Sequence, residues 1–277
     1  MAQEKHEMTF LQHLEELRWV IIKSVLAIVI VATAAFFLKH LLFDIILLSP
    51  RTPEFISNVL ICKFGNWFEH TKTGLWLHIQ NICINQHPLP LQNITMGGQF
   101  NMHVWVSMVA GFIFAFPYIF YQFWSFIAPA FHEKERKKVG GAVFYSSALF
   151  LLGIAFGYFI LLPFSIDFLT TYAVSDQIEN KINFVSYISN ITTVTLACGL
   201  VFELPVAVYF LTKIGILTPA FMKKYWRHAV IVILIVAAII TPPDVVSQTL
   251  VALPLFLLYW VSILISASVV RKQQKKS

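Results

Sequence analysis

Charge is scarce in this sequence. Only 12% of its 277 residues are Asp, Glu, Lys or Arg, against about 25% in a soluble globular domain. That shortage excludes an ordinary water-soluble fold, whose surface would need far more ionised groups. No glycine-rich phosphate loop, no His/Cys/Asp/Glu cluster at metal-ligand spacing and no nucleophile–base arrangement appears, so neither an enzyme, a metal site nor a cofactor is expected. Internal repeats and low-complexity tracts are missing too. Cysteine is limited to Cys62, Cys83 and Cys198. The N-terminus carries Glu4 and Glu7, and the apolar block after it has no clear small-residue cleavage site, so that block reads as an uncleaved first span.

What the chain has in abundance is apolar sequence in long blocks. Hydrophobic residues make up 58% and the mean hydropathy is +0.73. A helix crossing about 30 Å of hydrocarbon needs roughly 20 apolar residues. Blocks that answer to this lie at about 19–38, 100–127, 139–162, 191–211, 229–241 and 249–270. The expected fold is all-α, a single integral membrane domain over 1–277 with six transmembrane helices. The fifth block is short, covering only about 18 Å at 1.5 Å per residue.

The net charge of +6 does not point to nucleic acid, because the cations cluster in short segments between apolar blocks. With six spans, Lys5, Arg18 and Lys23, the group Lys134 to Lys138, the group Lys213 to Arg227 and the tail Arg271 to Lys276 share one side. Only Lys39, Arg51, Lys63, Lys72 and Lys181 of the 20 cations fall on the other. The positive-inside rule then places both termini in the cytoplasm. If the fifth block did not cross, the basic tail would fall outside. It therefore reads as a true span in a locally thinned bilayer.

The first outer loop, 39–99, mixes Phe55, Phe64, Trp67, Phe68 and Trp76 with polar residues. A floppy linker would hold fewer aromatics, so a folded cap of short helices lying at the interface is expected. Cys62 and Cys83 both fall in it. Three readings stand open: a disulfide, favoured if the loop faces an oxidising compartment; two packed thiols; or a metal site with His70 or His78. Cys198, in an apolar block, reads as a packing residue.

Ionisable groups at membrane depth are costly and therefore candidates for function. Glu203, with Pro205 close behind it in the same block, is the clearest. Proline frees a backbone carbonyl and kinks a helix, so a kink beside a carboxylate is expected. A second class of function also fits these residues: a secondary transporter or channel subunit with Glu203 as proton carrier.

On the cytoplasmic side, TFLQHLEELR opens with Thr9 and Gln12 at capping-box spacing. Phe10, Leu14 and Leu17 form an apolar stripe opposite Gln12 and Glu16. The loop SFIAPAFHEKERKK sets Glu133 and Glu135 among cations. Glu16 and Glu135 can jointly hold a cationic peptide, since a carboxylate takes a guanidinium bidentately. Composition and periodicity do not choose between such a receptor and a transporter.

Five ordered segments do choose. They are HLEELR (His13 to Arg18), FPYIFYQFWSFIAPAFHEKERK (Phe116 to Lys137), FGYFILLPFSIDFL (Phe156 to Leu169), CGLVFELPVAV (Cys198 to Val208) and TPPDVVSQTLVALPLFLLY (Thr241 to Tyr259). Together they resemble the TatC family, membrane receptors for twin-arginine signal peptides in folded-protein export. The resemblance implies that Glu16 and Glu135, with Arg18, Phe126 and Arg136, form the signal-peptide site. It makes Glu203 the polar group of the fourth span. It implies that Thr241 and Gln248 dock TatA- and TatB-like single-span membrane proteins. It further implies a homo-oligomer within a larger complex in the bacterial inner membrane, powered by the proton-motive force and with no nucleic acid involved. The loop from Phe55 to Pro90 is longer than is usual in the family, so its role is not inherited.

Overall fold

The computed structural model describes residues 10–69, 83–85, 90–127, 139–175, 177, 180–241 and 245–274. Helices dominate them. Six windows are long and apolar enough to cross a membrane: Leu14–Phe37, Leu41–Trp67, Gly98–Ile127, Gly140–Thr171, Phe184–Lys213 and Val246–Gln274. Helix α1 (Phe10–Phe37) runs without a break from the amphipathic lead-in through the first apolar block. The spacing of Leu14 and Leu17 continues into that block, so nothing in the sequence ends the helix between them.

The second window is not one helix. A π-helical turn (Leu41–Leu47) and a 3-10 turn (Ser49–Arg51) precede α2 (Ile56–Glu69). Pro50 and Pro53 lie at the break, where each removes an amide donor. Helix α2 has 14 residues, about 21 Å at 1.5 Å per residue, less than a bilayer core. The chain continues through β1 (Leu91–Gln92) and α3 (Gly98–Ile127). The third apolar block becomes α4 (Val139–Phe156), a π turn (Gly157–Leu161) and α5 (Leu162–Thr171), with Pro163 in the first turn of α5 where its missing N–H is harmless.

Strand β2 (Ile182–Asn183) pairs in parallel with β1, Leu91 against Ile182 and Gln92 against Asn183. Helix α6 (Phe184–Phe202) begins several residues before the apolar block does, because Asn183 caps it by accepting from the Val185 amide at 2.9 Å. Helices α7 (Leu204–Lys213), α8 (Pro219–Lys224), α9 (Trp226–Ile240) and α10 (Val245–Gln274) complete the chain. At 15 residues α9 stays short, and it falls outside the six windows.

The chain divides into two compact units, residues 1–38 with 104–148 and residues 39–103 with 149–277. In the first, α1 and α3 meet through small residues. A Cβ on Gly111 would lie 2.7 Å from the Ala32 Cβ and 2.8 Å from the Ile28 carbonyl oxygen, so only glycine permits this approach. Gly111→Ala should therefore destabilise by about 1–3 kcal/mol, as overpacking does. Gly140→Ala, which meets nothing within 4 Å, should not. Thermal unfolding of the two variants in detergent checks the pair, and equal Tm values would refute the close approach.

In the second unit the core joins α6, α9 and α10 through Val194, Cys198, Phe202, Ala237, Val251 and Leu255. Gly153 and Gly199 form a seam between α4 and α6. A Cβ on Gly153 would lie 2.6 Å from the Cys198 carbonyl oxygen. Buried hydroxyls hold the remaining joints. Thr212 Oγ1 bonds Ser266 Oγ at 2.9 Å between α7 and α10. The Tyr158 and Tyr187 hydroxyls donate to the carbonyls of Ile46 (2.6 Å) and Leu47 (3.1 Å).

Candidate recognition sites

Glu16 lies in the second turn of α1. Glu15, Glu16 and Arg18 are exposed and Leu17 is half-buried. Glu16 and Arg18 are two residues apart, a spacing that does not bring helical side chains face to face. The Glu16 carboxylate enters no ion pair with another described residue. An exposed carboxylate fixed on a long helix is a ready acceptor for a guanidinium. Phe126 is half-buried one residue before α3 ends, close behind the buried Trp124. Thr9, Glu133, Glu135 and Arg136 lie outside the described residues.

Glu203 marks a break between α6 and α7. Its amide bonds the Leu200 carbonyl at 3.1 Å and its own carbonyl accepts from Val206 and Ala207, each at 3.0 Å. The residue thus ends one helix and starts the next, and Pro205 sits in the first turn of α7, where a missing donor costs little. Its side chain is half-buried. The kink expected beside the carboxylate is a one-residue break, with Glu203 at φ −73° and ψ −4°.

Thr241 and Gln248 brace the last hairpin from within. The buried Thr241 hydroxyl donates to the Ala237 carbonyl at 2.9 Å, closing the end of α9. Gln248 Nε2 donates to the Leu234 carbonyl at 3.3 Å, tying α10 back to α9.

In the long loop Cys62 and Cys83 are joined as a disulfide. His70 and His78, the ligands of the metal reading, lie outside the described residues. Among the described residues no group of three His, Cys, Asp or Glu is placed to hold a metal. Cys198 is buried.

Sequence reasoning missed the polar knot beside this disulfide. Asn58 on α2 donates to the carbonyls of Pro50 (3.1 Å) and Thr52 (2.8 Å). Asn85 donates from Nδ2 to Asn58 Oδ1 (3.5 Å) and to the Pro163 carbonyl (3.1 Å), and from its amide to Asp167 Oδ1 (3.1 Å). Asn85 has φ +50°, a left-handed conformation that asparagine tolerates better than most residues. Asp167, an acid at the end of an apolar run, was the one available signal.

The chain matches the family described as Sec-independent protein translocase protein (TatC) over residues 12–254. It is 41% identical over 273 residues to the Sec-independent protein translocase protein TatC of Blattabacterium sp. subsp. Periplaneta americana (strain BPLAN), covering 99% of this chain and 100% of that relative. It is 48% identical over 164 residues to TatC of Helicobacter pylori (strain J99 / ATCC 700824), covering 59% of this chain and 66% of the relative. Two crystal structures of the twin arginine translocase receptor TatC superpose on it. One has a TM-score of 0.64 at 27% identity, over 93% of this chain and 99% of that one. The other, in DDM, has a TM-score of 0.68 at 30% identity, over 92% and 99%. A multi-pass membrane fold, five ordered segments and these matches converge: the chain belongs to the TatC family of Sec-independent protein translocase proteins.

Proposed function

We propose that this protein is the twin-arginine receptor of its translocase. Glu16 and Glu135 take the paired arginines of a signal peptide on the cytoplasmic face, and Arg18, Phe126 and Arg136 border the site. The observation that supports this most is Glu16 itself, an exposed carboxylate held at the membrane-entry end of α1. Both termini are cytoplasmic. The six crossings are α1, α3, α4 with α5, α6 with α7, α9, and α10, while the broken segment Leu41–Trp67 belongs to an outer cap. This assignment follows from the distribution of cations and from the proline break in that segment. The protein catalyses no reaction. It assembles as several copies with single-span Tat partners at the last hairpin, where Thr241 and Gln248 set the geometry, and the proton-motive force drives export of folded cargo across the bacterial inner membrane.

Peptide binding tests the site. Glu16→Ala should weaken a twin-arginine peptide by about 1–3 kcal/mol, or about 5- to 150-fold in Kd, the range for a hydrogen bond to a charged group. Glu15→Ala should change Kd less, and a peptide with both arginines replaced by lysine should lose the bidentate contact. Titration of a labelled peptide against the protein in nanodiscs measures all three. A larger loss for Glu15→Ala than for Glu16→Ala would sink the assignment.

Glu203 serves export through its polar side chain. Glu203→Gln keeps hydrogen-bonding capacity and should retain more export than Glu203→Leu, which places an apolar group at the helix break. Transport of a reporter cargo into the periplasm measures this, and equal rates for both variants and wild type would remove Glu203 from the mechanism.

A further inference from the structure

Helix α2 is built inside out. Its inward face holds Ser57, Asn58 and Gly65, all buried, and the bridged Cys62. Its outward face holds Ile56, Leu60, Phe64 and Trp67, each at least 60% exposed. The spacing of these four, i, i+4, i+8 and i+11, follows one helical stripe. Lys63 and Asn66, both exposed, flank the stripe on one edge only. A helix facing water would carry the opposite pattern, polar outward and apolar inward.

The stripe also adjoins exposed apolar residues of the third apolar block. Phe55, just before α2, stacks on Phe159 with ring centroids 5.9 Å apart and planes within 6°. Phe159 and Ile160 are themselves about 40% exposed on the third apolar block. From there the exposed stripe runs along α2 to the Phe64–Trp67 pair, 5.8 Å apart. A tryptophan and a lysine at the edge of an apolar stripe are the side chains that settle at the boundary between headgroups and acyl chains.

We propose that α2 is a lipid-contacting interfacial helix. It lies along the outer leaflet with Ile56, Leu60, Phe64 and Trp67 among acyl chains and with Lys63 and Asn66 toward headgroups and water. The disulfide and the asparagine knot fix its polar face to the protein, and the bilayer completes its apolar face. The proposal rests, for the leaflet alone, on the outward placement of the 39–99 loop.

An environment-sensitive fluorescent amino acid at position 64, 60 or 66 tests it, in the full chain reconstituted into phosphatidylethanolamine/phosphatidylglycerol vesicles. Closure of the Cys62–Cys83 bridge on non-reducing gels shows that each labelled chain has folded its loop. Positions 60 and 64 should be quenched by spin-labelled phospholipid and protected from aqueous iodide, with iodide quenching at least about threefold weaker than at position 66. Equal iodide quenching at all three positions overturns the proposal. So does a photo-crosslinker at position 64 that captures a second copy or another protein in native membranes and yields no lipid adduct. Sidedness is read separately: an impermeant maleimide on intact spheroplasts, after impermeant reductant, labels Cys62 or Cys83 only if the loop is outside. Lipid quenching without that labelling keeps the interfacial helix and refutes the orientation.

Discussion

Asn58→Leu should loosen helix α2 from the rest of its unit. The substitution keeps the branching of the side chain and removes both its donor and its acceptor: the Pro50 carbonyl loses its bond at 3.1 Å, the Thr52 carbonyl keeps the Phe55 amide at 3.2 Å, and Asn85 Nδ2 keeps the Pro163 carbonyl at 3.1 Å. Asn58 is 2% exposed, so water cannot replace the lost bonds without distortion. Each buried polar group left unsatisfied costs about 1–3 kcal/mol. A loss of about 3 kcal/mol or more in the local stability of α2 is expected, which corresponds to exchange of its amides about 150-fold faster. Hydrogen exchange resolved to peptides of α2 measures it, with α10 as the internal reference because it makes no part of the knot. Unchanged protection in α2 would mean that the asparagines follow the fold and do not hold it.

Reducing the Cys62–Cys83 bridge should have an effect of similar size by another route. The bond closes a separation of 21 residues, worth about 3 kcal/mol when the chain entropy of the open loop is the main term. Reduction with Asn58 intact should raise exchange in α2 and leave α6 and α9 protected, since the core of the second unit does not include the loop. Reduction of the Asn58→Leu chain should add less than the sum of the two changes, because both hold the same segment and exchange saturates once it is open. Strict additivity, or loss of protection throughout α6 and α9, would show that the bridge supports the whole unit and not α2 alone.

The long helices were legible because burial in lipid demands runs of about 20 apolar residues, and such runs cannot be hidden. The interruption at Glu203 was legible from Pro205. The limits of the helices were less so. Helix α1 fuses two elements that differ in amphipathicity alone, and α6 begins early on the strength of one cap, Asn183. The pieces between Leu41 and Glu69 were hard to read for a physical reason: LLFDIILL looks like the start of a span until Pro50 and Pro53 end it. Of the candidate site, the exposure of Glu16 could be read from its helix face. The bracing of the last hairpin by Thr241 and Gln248 could not, because both bonds end on backbone carbonyls, which carry no sequence signature. The asparagine knot was invisible for a related reason, its partners being 78 and 82 residues apart.

Those separations also set an order in time. Cys62 and Cys83 can meet as soon as the loop between them has been made. Asn85 must wait for Pro163 and Asp167, and Leu91 for Ile182. At about 5–20 residues per second, the wait for Asp167 lasts about 4–16 s. During synthesis the covalent bond thus comes within reach well before the hydrogen-bonded knot, so α2 and the segment from Cys83 to Asn85 can be delivered to the arriving third span as one prefabricated piece.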